Sequence, residues 1–462
     1  MTSADAERID GEANASLTAK NHHHFSRPAA PRKSIFRPHQ AFLAASFLFI
    51  ASSANAATAD SSQDAAIKEL RAAVQALQAE QAQSRARIAE LEAALAQQHQ
   101  QPSAVAANDA PATQALNVEP ASQGNASSSR LSLSGDLRVR YESNSGVKGT
   151  RNRDRSVLRA RLRAAYTIND WLAVGGQLAT GDPDDPNSTD ITLSGFDDDL
   201  QVSLDQAYIR LTPGNFQIHL GKIPQPFMRT ELVWDGDVSP QGISASYATS
   251  FGGMKLKANG LYFIVDEAVA GPDSRMIGGQ VVFETPPARL QGELAVGYYD
   301  YSLRSLTGAA AGDIRSNLFA NGRYLSDFNL LDVIAAVTWR GLGERWPIRI
   351  VGDYVHNFGA GTGADTGFGI DLIAGRASRA GDWRFTYGYA QAETDAVLAA
   401  FSHDNTNLAT NYLQHTLAVD FMPQANLTLN ATYYRYRQKD LLEGFGFPDW
   451  QNRLRFNLMV GF

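Results

Sequence analysis

From Leu131 to the end of the chain, apolar and polar residues alternate with a period of two. In the first stretch Leu131, Leu133, Leu137, Val139 and Tyr141 alternate with Ser132, Ser134, Asp136, Arg138, Arg140 and Glu142. In the second, Leu158, Ala160, Leu162, Ala164, Tyr166 and Ile168 face one way, and Arg159, Arg161, Arg163 and Thr167 the other. Such patterns predict strands with one apolar and one polar face. Sixteen of them begin near residues 131, 155, 171, 201, 215, 241, 254, 274, 288, 330, 348, 366, 383, 411, 427 and 451. Their connections alternate in length. Short ones carry turn residues, such as Asn169-Asp170 and Pro213-Gly214-Asn215; long ones run 181–200, 223–240, 302–329, 394–410 and 439–450. An antiparallel up-and-down sheet explains that alternation.

Upstream the period changes. Ile67, Leu70, Val74, Leu77, Gln81, Ser84, Ile88, Leu91, Leu95 and Gln98 fall at alternating steps of three and four. This heptad seam predicts a helix over 57–100 that self-associates as a coiled coil. A lone Ala-rich amphipathic helix is the alternative. Residues 101–130, with Pro102, Pro111 and Pro120 among small polar residues, read as a flexible linker. Residues 1–56 read as a secretory signal: a basic flank, the apolar run Ala41–Ser52, and Ala54-Asn55-Ala56 as the cleavage site.

Composition narrows the choice. The formal charge is −7, and −9 without the first 56 residues, which argues against nucleic acid as a partner. With no cysteine, a disulfide scaffold, a thiolate metal site and a Cys nucleophile are excluded. No apolar run reaches the ~18–20 residues of a spanning helix. A soluble sandwich would bury the apolar faces against each other, whereas a transmembrane barrel turns them to lipid. The export signal, the Arg-rich polar faces and the aromatic residues at strand ends favour the barrel. The expected fold is therefore an all-β transmembrane barrel of about sixteen antiparallel strands over 131–462, preceded by the coiled-coil segment. The count is open by two, because Leu318-Phe319-Ala320 and Tyr324-Leu325 could form an extra hairpin.

The last stretch sets Leu454, Phe456, Leu458, Val460 and Phe462 on one face. Closing on a C-terminal Phe, it resembles the assembly signal of Gram-negative outer-membrane barrels. The partners this implies are the barrel assembly machinery, the lipid bilayer and lipopolysaccharide. Four further stretches carry a family resemblance: LATGDPDDPNSTD (178–190), SGFDDDLQVSLDQAYIRL (194–211), GKIPQPFMRTELVWDGDVSPQ (221–241) and ERWPIRIVGDYVHN (344–357). They resemble the "putative porin" family of proteobacteria and, more distantly, the phosphate-selective porins. The resemblance implies a homotrimeric outer-membrane pore with a periplasmic N-terminal helix. It carries over no set of substrate residues.

In porins generally the third long loop folds into the lumen. Here that loop holds Arg229, Glu231, Trp234, Asp235 and Asp237. Arg138, Arg140, Arg159, Arg161 and Arg163 would face it from the first two strands, with Arg210 and Lys222 on neighbouring strands. A basic wall facing acidic loop carboxylates sets a transverse field across a constriction. The functional reading of the Arg ladder is anion attraction; the alternative is that its guanidiniums pair with Asp136, Glu142, Asp205 and Asp353 and brace the wall. The acid-rich second loop (Asp182, Asp184, Asp185, Asp190, Asp197, Asp198, Asp199) has Ca²⁺-type oxygens but not EF-hand spacing, so a solvated loop is expected and no metal. No H-E-x-x-H, G-x-S-x-G or P-loop is present, and His99, His219, His356, His403 and His415 are scattered. No enzyme and no cofactor are expected. The reading is a porin passing small hydrophilic solutes or ions by diffusion, possible anion preference included. The alternative is an outer-membrane anchor tethering a periplasmic coiled coil toward the cell wall.

Overall fold

The computed structural model describes residues 130–146, 152–193, 199–309, 311–440 and 449–462. The signal peptide, the heptad helix and the linker up to residue 129 lie outside them.

Sixteen long strands form one sheet. They are β1 (Leu131–Ser145), β2 (Arg153–Asn169), β3 (Leu172–Thr180), β4 (Val202–Leu211), β5 (Phe216–Lys222), β6 (Gln241–Phe251), β7 (Met254–Asp266) and β8 (Ser274–Glu284), followed by β9 (Leu290–Ser302), β10 (Phe328–Trp339), β11 (Ile348–Asn357), β12 (Thr366–Gly375), β13 (Trp383–Ala392), β14 (Tyr412–Gln424), β15 (Leu427–Gln438) and β16 (Gln451–Gly461). Each pairs antiparallel with the next, and β16 pairs back onto β1 from Asp136↔Gly461 to Ser145↔Asn452. The sheet is thus a closed barrel with no free edge. The two-residue strand Ile191–Thr192 adds to β2 from a loop without entering the circuit. The suspected hairpin exists as Phe319–Ala320 against Arg323–Tyr324, but as a separate two-stranded sheet, so the count stays sixteen.

Period two decides which side chains face out. In β8 burial alternates strictly along the strand, and in β16 Arg453, Arg455 and Asn457 are buried while Phe456, Leu458 and Val460 are exposed. The exposed face is apolar all around the barrel: Leu294, Val296, Ile350, Ile370, Leu372 and Leu417 are each more than 40 % accessible. A soluble domain would bury such residues; only lipid makes this arrangement favourable. Trp171, Trp339 and Trp383 ring the end with short turns, and Tyr141, Tyr262, Tyr298, Tyr354 and Phe368 ring the end with long loops. Two aromatic girdles flanking an aliphatic band are the mark of an outer-membrane barrel, with the longer loops extracellular.

The hydrophobic core lies in the lumen, which the alternation alone does not predict. Loop 3 (residues 223–240) supplies Ile223, Phe227, Leu232, Trp234 and Val238 to it, and loop 7 (393–411) supplies Val397, Leu398 and Phe401. They pack on inward residues of β7 to β11: Phe263, Met276, Tyr299, Tyr301, Phe328, Leu330 and Val355. Trp234 stacks on Phe401 with centroids 6.0 Å apart and meets Tyr299 edge-on at 5.5 Å. The inner wall is apolar on this side because loops cover it. It is strongly polar on β1, β2 and β16.

Candidate functional site: the lumen between loop 3 and the arginine wall

Loop 3 enters the lumen at a paired glycine step. Gly221 and Gly242 are register partners at the loop base, with φ of +121° and +145°. A Cβ would fall 2.4 Å from the Ala207 carbonyl oxygen at Gly221, and 2.1 Å from that of Tyr262 at Gly242. Only glycine fits both the space and the left-handed backbone there. The loop is then held from several sides. The Met228 N–H donates to Gln280 Oε1 (2.8 Å), and Gln280 Nε2 donates to the Met228 carbonyl (2.6 Å). Thr230 hydrogen-bonds to Asp353, and the Asp235 N–H donates to the Phe401 carbonyl of loop 7 (2.8 Å). Lys222 Nζ donates to the Ser239 carbonyl at 3.0 Å, so it secures the loop base.

On the far side the loop meets the arginine ladder. Arg161 reaches Asp136 with Nε (2.8 Å) and Asp237 of loop 3 with Nη1 (3.0 Å). Arg159 pairs with Asp136 at 3.0 Å and approaches Asp237 at 3.9 Å, and Arg163 joins Asp136 at 3.3 Å. Arg138 and Arg140 converge on Asp190, the latter at 2.7 Å. Of the four expected bracing carboxylates, Asp136 and Glu142 serve. Asp205 instead accepts from Gln177 and Ser239, and Asp353 from Thr230. Asp190 and Asp237 take their place.

The second loop therefore departs from the expectation of a solvated loop along 187–190. Asn187 Nδ2 donates to the Ser402 carbonyl of loop 7 (2.6 Å), Thr189 Oγ1 donates to Asp237 (2.9 Å), and Asp190 is locked by two guanidiniums. Burial pushes the Asp190 carboxyl up, but Arg140, Arg138 and Arg159 outweigh it and hold the group well below the carboxylate range. Asp237 behaves alike: burial opposes ionisation, and Arg161, Arg159 and Arg138 more than restore it. Both acids are therefore charged ties between loops and wall.

The sequence reading missed Arg453 and Arg455 on β16 and Arg155 on β2. Arg455 Nε lies 2.7 Å from Glu142, Arg155 Nε 2.8 Å and Arg453 Nε 3.5 Å. Arg453 and Arg455 also donate to the carbonyl and side-chain oxygens of Asn405 in loop 7, each at 2.8 Å. Their alternation was visible, but barrel closure brings them beside Glu142, 313 positions away in the case of Arg455. Among the described residues eight guanidiniums (Arg138, Arg140, Arg155, Arg159, Arg161, Arg163, Arg453, Arg455) share four carboxylates (Asp136, Glu142, Asp190, Asp237). Counted over the described residues, this wall is net positive. Arg138, Arg140 and Arg159 are at most 7 % accessible, whereas the Arg163 side chain is 30 % accessible. Arg210 lies inward on β4 opposite His219 and makes no ion pair among the described residues.

Toward loop 7, loop 3 gathers acids whose ionisation burial opposes. Arg229 sits with the loop acids rather than facing them: its Nη1 is 3.9 Å from Glu231, and Nη2 donates to the Gly236 carbonyl at 3.3 Å. Burial pushes the Glu231 carboxyl up to about 7, although Arg229 pulls it down. Asp235 is pushed well up as well, through burial and the neighbouring Glu231, Asp404 and Asp237. Burial, with Arg315, Arg455 and Arg453 nearby, lowers His403 of loop 7 to about 3, so that ring is neutral. Below the loops a cavity of about 70 Å³ is lined by Thr230, Glu231, Asp353, Asp371, Asn405 and Gln414 among others. No cluster suited to a metal ion occurs among the described residues.

The "putative porin" family matches residues 147–310, which hold loops 2 and 3 with the strands that carry them. No curated protein matches the chain. Among solved structures, OprB of Pseudomonas putida is similar with a TM-score of 0.49 and 13% identity, covering 72% of this chain and 94% of that one. OmpF of Salmonella typhi, solved with daunomycin, is similar at 0.45 and 12%, covering 72% and 97%. A loop-deletion mutant of OmpT from Vibrio cholerae reaches 0.44 and 11%, covering 72% and 100%. Over residues 147–310 this chain matches the "putative porin" family, and its closed sixteen-stranded barrel with a lipid-facing apolar band is an outer-membrane architecture.

Proposed function

We propose that the barrel passes small hydrophilic solutes and ions by diffusion, through a passage narrowed by loop 3 against β1, β2 and β16. The observation that carries this is the Arg161–Asp237 tie, which holds a loop carboxylate to the wall across the lumen. Solutes meet a net-positive wall on one side and, on the other, Glu231 of loop 3, whose negative charge develops only as pH rises through about 7. Fixed charges in a confined aqueous passage orient dipolar solutes and set ion preference. The surplus of guanidiniums supports a preference for anions, with Arg163 and Arg210 as its accessible members and Arg138, Arg140 and Arg159 as buried braces. Lys222 stabilises the loop base.

The heptad segment, with Ile67, Leu70, Val74, Leu77, Ile88, Leu91 and Leu95 as its seam, belongs to the same reading as a periplasmic trimerisation helix. Cross-linking before and after removal of residues 57–100 tests it. The diffusion channel itself is tested by liposome swelling with sugars of increasing size. Entry that falls off with solute size supports it; proteoliposomes with folded barrel that admit none overturn it. The convergence of loops 2, 3 and 7 with Asn317 of the connection between β9 and β10 favours the tether as second reading. That reading expects the same null permeability together with loss of cell-wall attachment when 57–130 is removed.

A further inference from the structure

One charged cluster faces away from the lumen. On β15, Tyr434 and Tyr436 are buried inward, so Arg435 and Arg437 lie on the outer face, in the strand's last turn before loop 8 (residues 439–450). That is the long-loop end of the barrel. Both guanidiniums lie over one ring, that of Trp450, at 5.3 and 5.2 Å from its centroid. His415, the register partner of Arg435 on β14, has its ring 5.8 Å from the same indole and its Nδ1 3.0 Å from the Tyr387 hydroxyl. On the other flank Tyr433 donates to Asn452 at 2.6 Å.

Two like charges gathered on one ring repel, and cation–π attraction offsets only part of that. Among the described residues neither arginine has a carboxylate within ion-pair distance. The Arg437 Nε is shielded from solvent and has no hydrogen-bond partner. This contrasts with the lumen wall, where the ladder guanidiniums are answered by acids. Facing the bilayer at headgroup height, the pair offers planar donor forks suited to phosphate oxygens, and the indole offers an amphipathic body for the interface.

We infer that Arg435, Arg437 and Trp450 form an external site for the phosphate of an outer-leaflet lipid headgroup, with His415 and Tyr433 shaping its sides. The inference rests on the outer-membrane reading above and is independent of what crosses the lumen. The test is native mass spectrometry of the full-length protein in detergent with bis-phosphorylated lipid A and its dephosphorylated form. Alongside it runs the variant R435Q/R437Q, checked for heat-modifiable gel mobility and channel conductance. The expected result is preferential retention of the phosphorylated lipid, reduced roughly tenfold or more in the variant, with mobility and conductance unchanged. R435K/R437K should keep part of it, as charge remains but the planar fork is lost. Equal retention by wild type and R435Q/R437Q, or no preference for the phosphorylated form, would overturn the site. So would displacement of the lipid by millimolar inorganic phosphate, which would make it a free-anion site. A change of oligomeric mass with lipid retention unaltered would make it a protein contact and overturn it as well. A chain that conducts nothing but retains lipid through these residues would defeat the channel reading alone.

Discussion

Arg161 on β2 and Asp237 in loop 3 meet at 3.0 Å, and the same guanidinium is held from behind by Asp136 at 2.8 Å. The pair joins barrel wall to inserted loop, with side chains only 12 and 14 % accessible. Removing one partner of such a buried pair costs about 3–5 kcal/mol, because the other is left buried without an answering charge. Asp237→Asn should therefore loosen loop 3, and also the Thr189 tie of loop 2. The expected outcome is a larger and noisier unitary conductance with the barrel intact on a gel. Unchanged conductance would remove Asp237 from the constriction.

The glycine step at the loop base makes a second prediction. Gly242→Ala places a Cβ against the Tyr262 carbonyl in a left-handed backbone region, a strain of order 1–3 kcal/mol. The midpoint of urea unfolding in detergent should fall. Gly292→Ala, where the nearest atom to a Cβ is a Thr285 methyl at 3.6 Å, should leave it nearly unchanged. Equal midpoints for the two variants would count against a constrained loop base.

Loop 3 should also confer pH dependence. Burial holds the Glu231 carboxyl protonated up to about pH 7, and it pushes the neighbouring Asp235 up too. Raising pH from 6 to 8 thus adds a negative charge at Glu231 and shifts the reversal potential toward cations. The sign for stability is parallel: an acid whose folded pKa is raised stabilises most at low pH, and that contribution is lost as pH rises from about 4.5 through 7. Glu231→Gln should flatten the selectivity profile across this window. A shift that survives the substitution would assign it to another group.

Phe462 takes part in barrel closure. The Gly135 N–H donates to Phe462 O at 2.8 Å, the Phe462 N–H donates to Gly135 O at 3.0 Å, and the Phe462 ring covers the space a Gly135 side chain would occupy. Leu454, Phe456, Leu458 and Val460 continue that outward face. Deleting Phe462 should lower the yield of folded barrel in refolding into detergent micelles, with Phe462→Tyr close to wild type. Undiminished yield for the deletion would confine the residue's role to cellular assembly.

Period two made the barrel legible: all sixteen strand starts fall within two residues of those read from the sequence, because alternation runs through strands of 7 to 17 residues with turn signals between. The lumen was less legible. Asp190 looks like one of seven solvated loop acids until the fold carries it 52 positions back to Arg138. The alanine-rich segment before Phe401 looks like an unremarkable long loop until Trp234 stacks on Phe401. Loop packing of this kind has no periodicity and no local partner to reveal it, so only closure of the barrel brings it into being. Arg435 and Arg437 show the converse: alternation places them outward, but without the strand's height in the barrel their position beside Trp450 means nothing.

The most direct test of a conducting, loop-narrowed lumen is single-channel current in a planar bilayer under a salt gradient, for wild type and Arg163→Gln/Arg210→Gln. The expected result is stepwise conductance with an anion-selective reversal potential that moves toward zero in the variant. Absence of current from verified folded barrel would contradict the channel, and cation selectivity indifferent to the two substitutions would contradict the arginine wall as its filter.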